Sequence, residues 1–180
     1  MTRVEQLETV RAEGLVLRAF RDSDLADLRA AFADPDILAW NPGPADEDGA
    51  AGFVVSRNDW SAGDHASWAI ADADDRLVGS VSMHKIDHDQ TDAEIGYWIA
   101  PWGRGSGIAT RAVRAAVGFG FERLDLHRIY LFHAVENAGS CGVARAVGFT
   151  HEGTLRQSYR YADGRFHDEH EHGLLVDDPR

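Results

Sequence analysis

Apolar residues change their spacing abruptly near the middle of the chain. Ile95, Tyr97 and Ile99 alternate with Glu94, Gly96 and Trp98, and from Ile108 onward the apolar positions recur as Ile108/Ala112/Ala116 and Ala109/Val113/Val117/Phe121. The first spacing has the period of a strand and the second that of a helix. A strand over Glu94–Ile99, a turn and a long helix are therefore predicted. Upstream, residues 1–12 read as a polar lead-in and Leu15–Phe20 as a first strand. Asp22 or Ser23 caps a helix to about Phe32, which Asp34-Pro35 ends. Asn41-Pro42-Gly43-Pro44 is a turn-rich break, and Asp46-Glu47-Asp48 opens a second helix that stops before Gly63. Ala66, Trp68 and Ile70 alternate in a strand that turns through Asp72–Asp75 into Leu77–Ile86, a hairpin. Downstream, Ile129–Phe132 is apolar on both faces, as a central strand should be. Ser140–Val147 forms a short helix that Gly148 terminates, and Phe149–Gly153 and Arg165–Val176 make two last strands. The pattern predicts one α/β domain (residues 1–180), of the α+β kind, around a mixed, largely antiparallel sheet.

The turn before the long helix carries the chemistry. Arg104-Gly105-Ser106-Gly107 lacks side-chain bulk where a helix begins. Backbone N–H groups can there approach a ligand, and a helix N-terminus offers unpaired donors and partial positive charge. That combination suits a phosphate or pyrophosphate. A P-loop is excluded, because no Lys follows these glycines and the only Lys of the chain is Lys85. The dinucleotide fingerprint is excluded too, because Thr110 stands where its third Gly belongs. What remains is R-x-x-G-x-A, from Arg104 through Gly107 to Ala109.

That loop resembles the pyrophosphate-binding loop of the GNAT superfamily of acyl-CoA-dependent N-acyltransferases. Glu136-Asn137-Ala138-Gly139-Ser140, then Gly148-Phe149 and Glu152-Gly153, are similar to the N-x-x-S…G-F…E-G signature of its RimJ/RimL branch. Leu15–Asp22 and Asp163-Gly164…Asp168 extend the likeness over roughly residues 14–176. The resemblance implies a GNAT-like sheet in which two splayed strands form an acyl-CoA cleft, and an acetyl-CoA-dependent transfer to an amine. It implies that the amides from Arg104 through Gly105, Ser106, Gly107 and Ile108 to Ala109 and Thr110 hold the pyrophosphate. It also implies that pantetheine pairs with backbone at Ile99 and Ala100 and bonds to Asn137. The first two helices would border the acceptor groove. Branch members acetylate protein N-termini and assorted amines.

Acyl transfer to an amine also needs a base, an oxyanion donor and an acid for the leaving thiolate. Glu94 is the base candidate that the resemblance supplies, with Trp98 on the same face able to raise its pKa by desolvation; a cross-strand ion pair would explain it as well. Ser140 would contact the sulfur side of the thioester, or simply cap the helix to Val147. Asn137 could equally be a turn former. Tyr159 stands where some relatives carry a second Glu; it could protonate the thiolate or only pack against substrate. His167-Asp168-Glu169-His170-Glu171-His172 raises a metal reading, with Asp168, His170 and His172 on one side, but an exposed strand and no metal is the expectation. His65, His84, His88, His127, His133 and His151 are scattered and show no ligand spacing. Cys141 reads as a small packing residue rather than a nucleophile.

Composition narrows the partners. The chain has 180 residues, 44% of them hydrophobic, which fits one domain with a sizeable core. No apolar run approaches a membrane span, the N-terminus has no signal-peptide core, and one Cys fits a reducing, cytoplasmic setting. A net charge of −12 argues against nucleic acid and weakly favours a cationic acceptor by steering. The leading expectation is acetylation of a protein or peptide α-amine, with a basic protein N-terminus as the acceptor that the charge favours. A polyamine or amine-bearing antibiotic is the rival, and a non-catalytic acyl-CoA sensor is the reading from another class. Nothing in the pattern excludes a homodimer.

Overall fold

The computed structural model describes residues 8–41, 43–44 and 46–179. It contains β1 (Val10–Ala12), β2 (Leu15–Arg18), α1 (Leu25–Phe32), α2 (Pro35–Trp40), α3 (Glu47–Asn58), β3 (Ala66–Ala71), β4 (Leu77–Asp87) and β5 (Asp92–Ile99). These are followed by α4 (Ile108–Arg123), β6 (Arg128–Ala134), α5 (Ala138–Val147), β7 (Thr150–Arg160) and β8 (Phe166–Leu175). The strands form one eight-stranded sheet in the order β1-β2-β3-β4-β5-β6-β8-β7. Every neighbouring pair is antiparallel except β5–β6, which α4 joins as a parallel crossover. The expected mixed, largely antiparallel sheet is what forms.

Helices cover both faces of the sheet. On one face Ala112, Val113, Ala116 and Val117 of α4 pack with Leu17, Trp68, Ile95 and Ile129 of the sheet. On the other, Leu28 and Phe32 of α1 and Val54 of α3 pack with Ala69, Leu77 and Trp98. β3 is therefore buried along its whole length, although its sequence alternates. Arg18, at the end of β2, is buried with Asp24 at 2.7 Å, which ties the start of α1 to the sheet. The α1–α3 layer is thus fixed beside β4 and β5.

Several expected boundaries move. Val10–Ala12 pairs with Leu15–Leu17 as an edge strand, so the lead-in ends before Val10; residues 1–7 of it lie outside the described residues. Asp22–Asp24 is a single 3-10 turn, and the first helix starts at Leu25 rather than beside Ser23. Asp34-Pro35 ends that helix but also starts α2, because the Asp34 carboxylate accepts from the Ile37 N–H and Pro35 fits a first helical turn. In the turn-rich break, Pro42 and Ala45 lie outside the described residues. The last two strands pair as a long hairpin, so β7 runs to Arg160 instead of stopping at Gly153.

Candidate acyl-CoA cleft and acceptor groove

β5 and β6 are in register for only three residues, Asp92↔Arg128, Ala93↔Ile129 and Glu94↔Tyr130, and then part. Backbone groups alternate along a strand. The Ala100 N–H points toward β4, where it donates to the Val78 carbonyl at 2.9 Å. Tyr97 and Ile99 consequently turn their backbone groups into the gap. The Ala100 carbonyl is also taken, by the Gly103 N–H at 2.8 Å. Both backbone groups of Ala100 are thus bonded within the chain, and Tyr97 is the residue that the alternation puts beside Ile99, whose carbonyl accepts from Arg104 Nε at 3.3 Å.

The gap opens into a cavity of about 510 Å³, and the glycine loop closes one end of it. Gly105 and Gly107 have φ of +77° and +72°, conformations that favour glycine. A Cβ built on either meets nothing within 4 Å, so the space in front of them is open. Gly107 is the N-cap of α4, and no side chain caps that end. The first α4 bond in the sequence runs from the Arg111 N–H to the Gly107 carbonyl. The amides of Ile108, Ala109 and Thr110 accordingly have no acceptor within the helix, and all three residues line the cavity. The donor set fits an anion. Arg104 also lines the cavity, but its guanidinium is held by Asp34 and, at 2.9 Å, by Asp36, which offsets its charge. Ser106 is turned away and donates its hydroxyl to the Gly103 carbonyl.

Asn137 and Ser140 line the same cavity from α5. The helix starts at Ala138, and the Asn137 side chain caps it by accepting from the Ser140 N–H at 3.1 Å. Asn137 thus fills the capping role that was one of two readings of Ser140. Ser140 instead offers its Oγ to the Tyr97 hydroxyl at 3.1 Å. Burial pushes the Tyr97 phenol up to about 12, and the Ser140 bond only partly offsets this. Tyr97 therefore stays a proton donor across the neutral range. It went unnoticed in the sequence because its alternation with Glu94 reads as a core position.

A second cavity of about 770 Å³ continues from the first across Trp40, Tyr97, Trp98 and Tyr161. Glu94 lines it, bound to Lys85 Nζ at 2.7 Å and His84 Nε2 at 3.1 Å. Burial pushes the Glu94 carboxyl up, but those two bonds outweigh it and hold it below the usual range. The expected upward shift is overturned: Trp98 shares the face but faces Phe32 across 5.2 Å, while β4 supplies the partners. Glu169 is buried in the same wall and accepts from Ser158 Oγ and the Tyr161 hydroxyl, each at 2.9 Å. Burial and the Glu169 bond raise Tyr161. Tyr159, half exposed, lies edge-on to Tyr161 at 4.9 Å; it borders the second cavity and not the first. The two residues expected near the thioester sulfur are therefore apart, Ser140 in one limb and Tyr159 in the other.

The expected exposed strand at His167–His172 is also overturned. His172 is fully buried and Glu169 nearly so, because β6 and β7 flank β8 on both sides. Burial and three neighbouring imidazoles hold His172 down to about 4, so it is neutral.

Two splayed strands, an uncapped glycine-led helix and a continuous two-limbed cleft define an acyl-CoA-dependent acyltransferase. Residues 14–150 match the acetyltransferase (GNAT) domain model, and the chain belongs to that family of N-acetyltransferases. YdaF of Bacillus subtilis (strain 168), whose name places it among ribosomal N-acetyltransferases, is 40% identical over 102 residues. That match spans 57% of this chain and 55% of YdaF, about half of that relative's length. The structure of Mycobacterium smegmatis RimJ in complex with CoA-disulfide superposes with a TM-score of 0.84 at 25% identity, covering 95% of this chain and 87% of that one. Spermidine N-acetyltransferase from Vibrio cholerae, in complex with CoA and spermine, gives a TM-score of 0.80 at 26% identity over 92% of this chain and 97% of that one. No helix among the described residues is long and apolar enough to cross a membrane.

Proposed function

We propose that the chain acetylates the α-amine of a protein or peptide N-terminus, using acetyl-CoA. The observation that carries this is the charge of the second limb. Among its described lining residues, Glu94 is matched by Lys85 and His84, and Glu169 is held by two neutral hydroxyls. One carboxylate without a bonded cation suits one ammonium. A polyamine with several charges would also meet Arg57 and Lys85, which repel it. The walls of Trp40, Tyr159 and Tyr161 suit the residues that follow an N-terminal amine.

In this reading the amides of Ile108, Ala109 and Thr110 hold the pyrophosphate. Tyr97 and Ile99 offer the pairing edge to pantetheine, and Asn137 keeps α5 in place beside it. Glu169 attracts the acceptor ammonium, and Glu94 takes its proton, with His84 as the exit to solvent. Tyr97, through Ser140, directs a hydrogen bond at the departing thiolate, which leaves as the anion and takes its proton from solvent. Tyr97→Phe should lower turnover by about tenfold, less than usual for a general acid because a thiol of pKa ~8.5 leaves readily. Acetyl-CoA affinity should stay within about threefold, checked by calorimetry beside steady-state rates. Unchanged turnover would remove Tyr97 from the reaction.

Acceptor choice is tested with a short basic peptide carrying both a free α-amine and an internal Lys, with spermidine assayed in parallel. An α-amine ionises near 7.7–8.0 and Lys near 10.4, so a weak base such as Glu94 suffices only for the former. Mass spectrometry should find the α-amine modified first. Because Glu94 is already ionised well below neutrality, kcat/KM should rise with pH through the acceptor's own range, about 7.7–8.0. The rate should fall with added salt, since a net charge of −12 steers a cation. Modification confined to Lys, or faster turnover of spermidine, would move the assignment to the small-amine reading. No release of free CoA with any amine would favour a sensor.

A further inference from the structure

His133 on β6, His170 and His172 on β8 and His151 on β7 share one face of the sheet. The registers set His133 opposite His170 and His151 opposite His172. Cys141, on α5, packs over that face. One ligand atom each from His133, His170, His172 and Cys141 lies within 4.8 Å of the other three. We propose that these four side chains form a zinc site behind the acyl-CoA cleft, on residues given no role in the transfer.

The donor chemistry points to a metal rather than to packing. His133 Nδ1 donates to the Ala134 carbonyl at 2.7 Å, which leaves Nε2 as a lone pair. A backbone carbonyl fixing the far nitrogen is the usual support of a metal-bound imidazole. That Nε2 is hydrogen-bonded to His172 Nε2 at 3.1 Å, a separation close to that of two ligands on one zinc. Nδ1 of His170 is buried without a hydrogen-bond partner. Orphaned buried groups are costly and call for a missing water or ion. Tetrahedral zinc, with bonds of about 2.0–2.3 Å, keeps its ligand atoms about 3.3–3.6 Å apart. The cluster needs to tighten by about an ångström, which side-chain rotation supplies. Three imidazoles and one thiolate select zinc over magnesium or calcium. Bound there, the ion ties α5 to β6 and β8, and with it Ser140, the residue before Cys141.

Cys141 is the only cysteine, so its thiol reports the site directly. The full chain, freed of metal by chelation, is titrated with Zn²⁺ and treated with a thiol reagent. One equivalent of Zn²⁺ should bind and slow Cys141 modification at least about tenfold. Co²⁺ should give the visible bands of a tetrahedral site with a thiolate charge-transfer band. Cys141→Ser, which keeps shape and fold, should abolish that band. Both Cys141→Ser and His170→Ala should weaken Zn²⁺ binding by about 10–100-fold or more, with circular dichroism confirming the fold. Absence of stoichiometric binding would overturn the proposal, as would unchanged Cys141 reactivity. Equal binding by both variants would place the ion on surface histidines and sink it as well.

Discussion

Glu94→Gln is expected to lower turnover by about 10²–10⁴-fold, or ~2.7–5.5 kcal/mol of barrier, while acetyl-CoA binds as before. The substitution keeps the side chain's shape and its acceptor for Lys85 but removes the base that takes the amine's proton. Stability should barely change. Lys85 is mostly exposed, so losing its partner leaves a cation already in water. Glu94 lies outside the first cavity, so cofactor affinity is the internal control. Steady-state rates with saturating peptide, beside calorimetry with acetyl-CoA, separate the two effects. Turnover within a few-fold of wild type would reduce Glu94 to the cross-strand ion pair that β4 and β5 display, and would turn attention to Glu169.

Gly107→Glu is expected to weaken acetyl-CoA at least about a hundredfold, ~2.7 kcal/mol. Two effects add. A non-glycine residue at φ +72° costs about 1–2 kcal/mol of backbone strain. A carboxylate at the head of α4 also takes the place, and the amide donors, of the pyrophosphate. Gly107→Asn separates them, because Asn tolerates a left-handed conformation and carries no charge; it should lose less than about tenfold. Wild-type affinity in a folded Gly107→Glu chain would refute the site.

The loop and the helix behind it were legible because their information is local. Which residues need positive φ, where amides go unpaired and where period 2 gives way to 3.6 are written in neighbouring positions. Ile99 and Asn137, which the family resemblance supplied, meet the residues from Gly107 to Thr110 in one cavity. Tyr97 was visible as a strand residue but not as a proton donor, since its partner Ser140 is 43 positions away. The Glu94 shift was misjudged for a similar reason: Trp98 shares its face, but the antiparallel register puts His84 directly opposite.

By itself the sequence determined the order of every element but β1 and α2, and the anion-binding turn, because backbone geometry follows from short-range sterics and hydrophobic period. Only the tertiary structure decided which distant groups share a site. The β6-β8-β7 order, which departs from chain order, buries β8 and gathers His133, His151, His170 and His172 on one face under Cys141. No local spacing encodes that cluster. Strand pairing over long separations creates it, and burial then sets which of its groups carry charge.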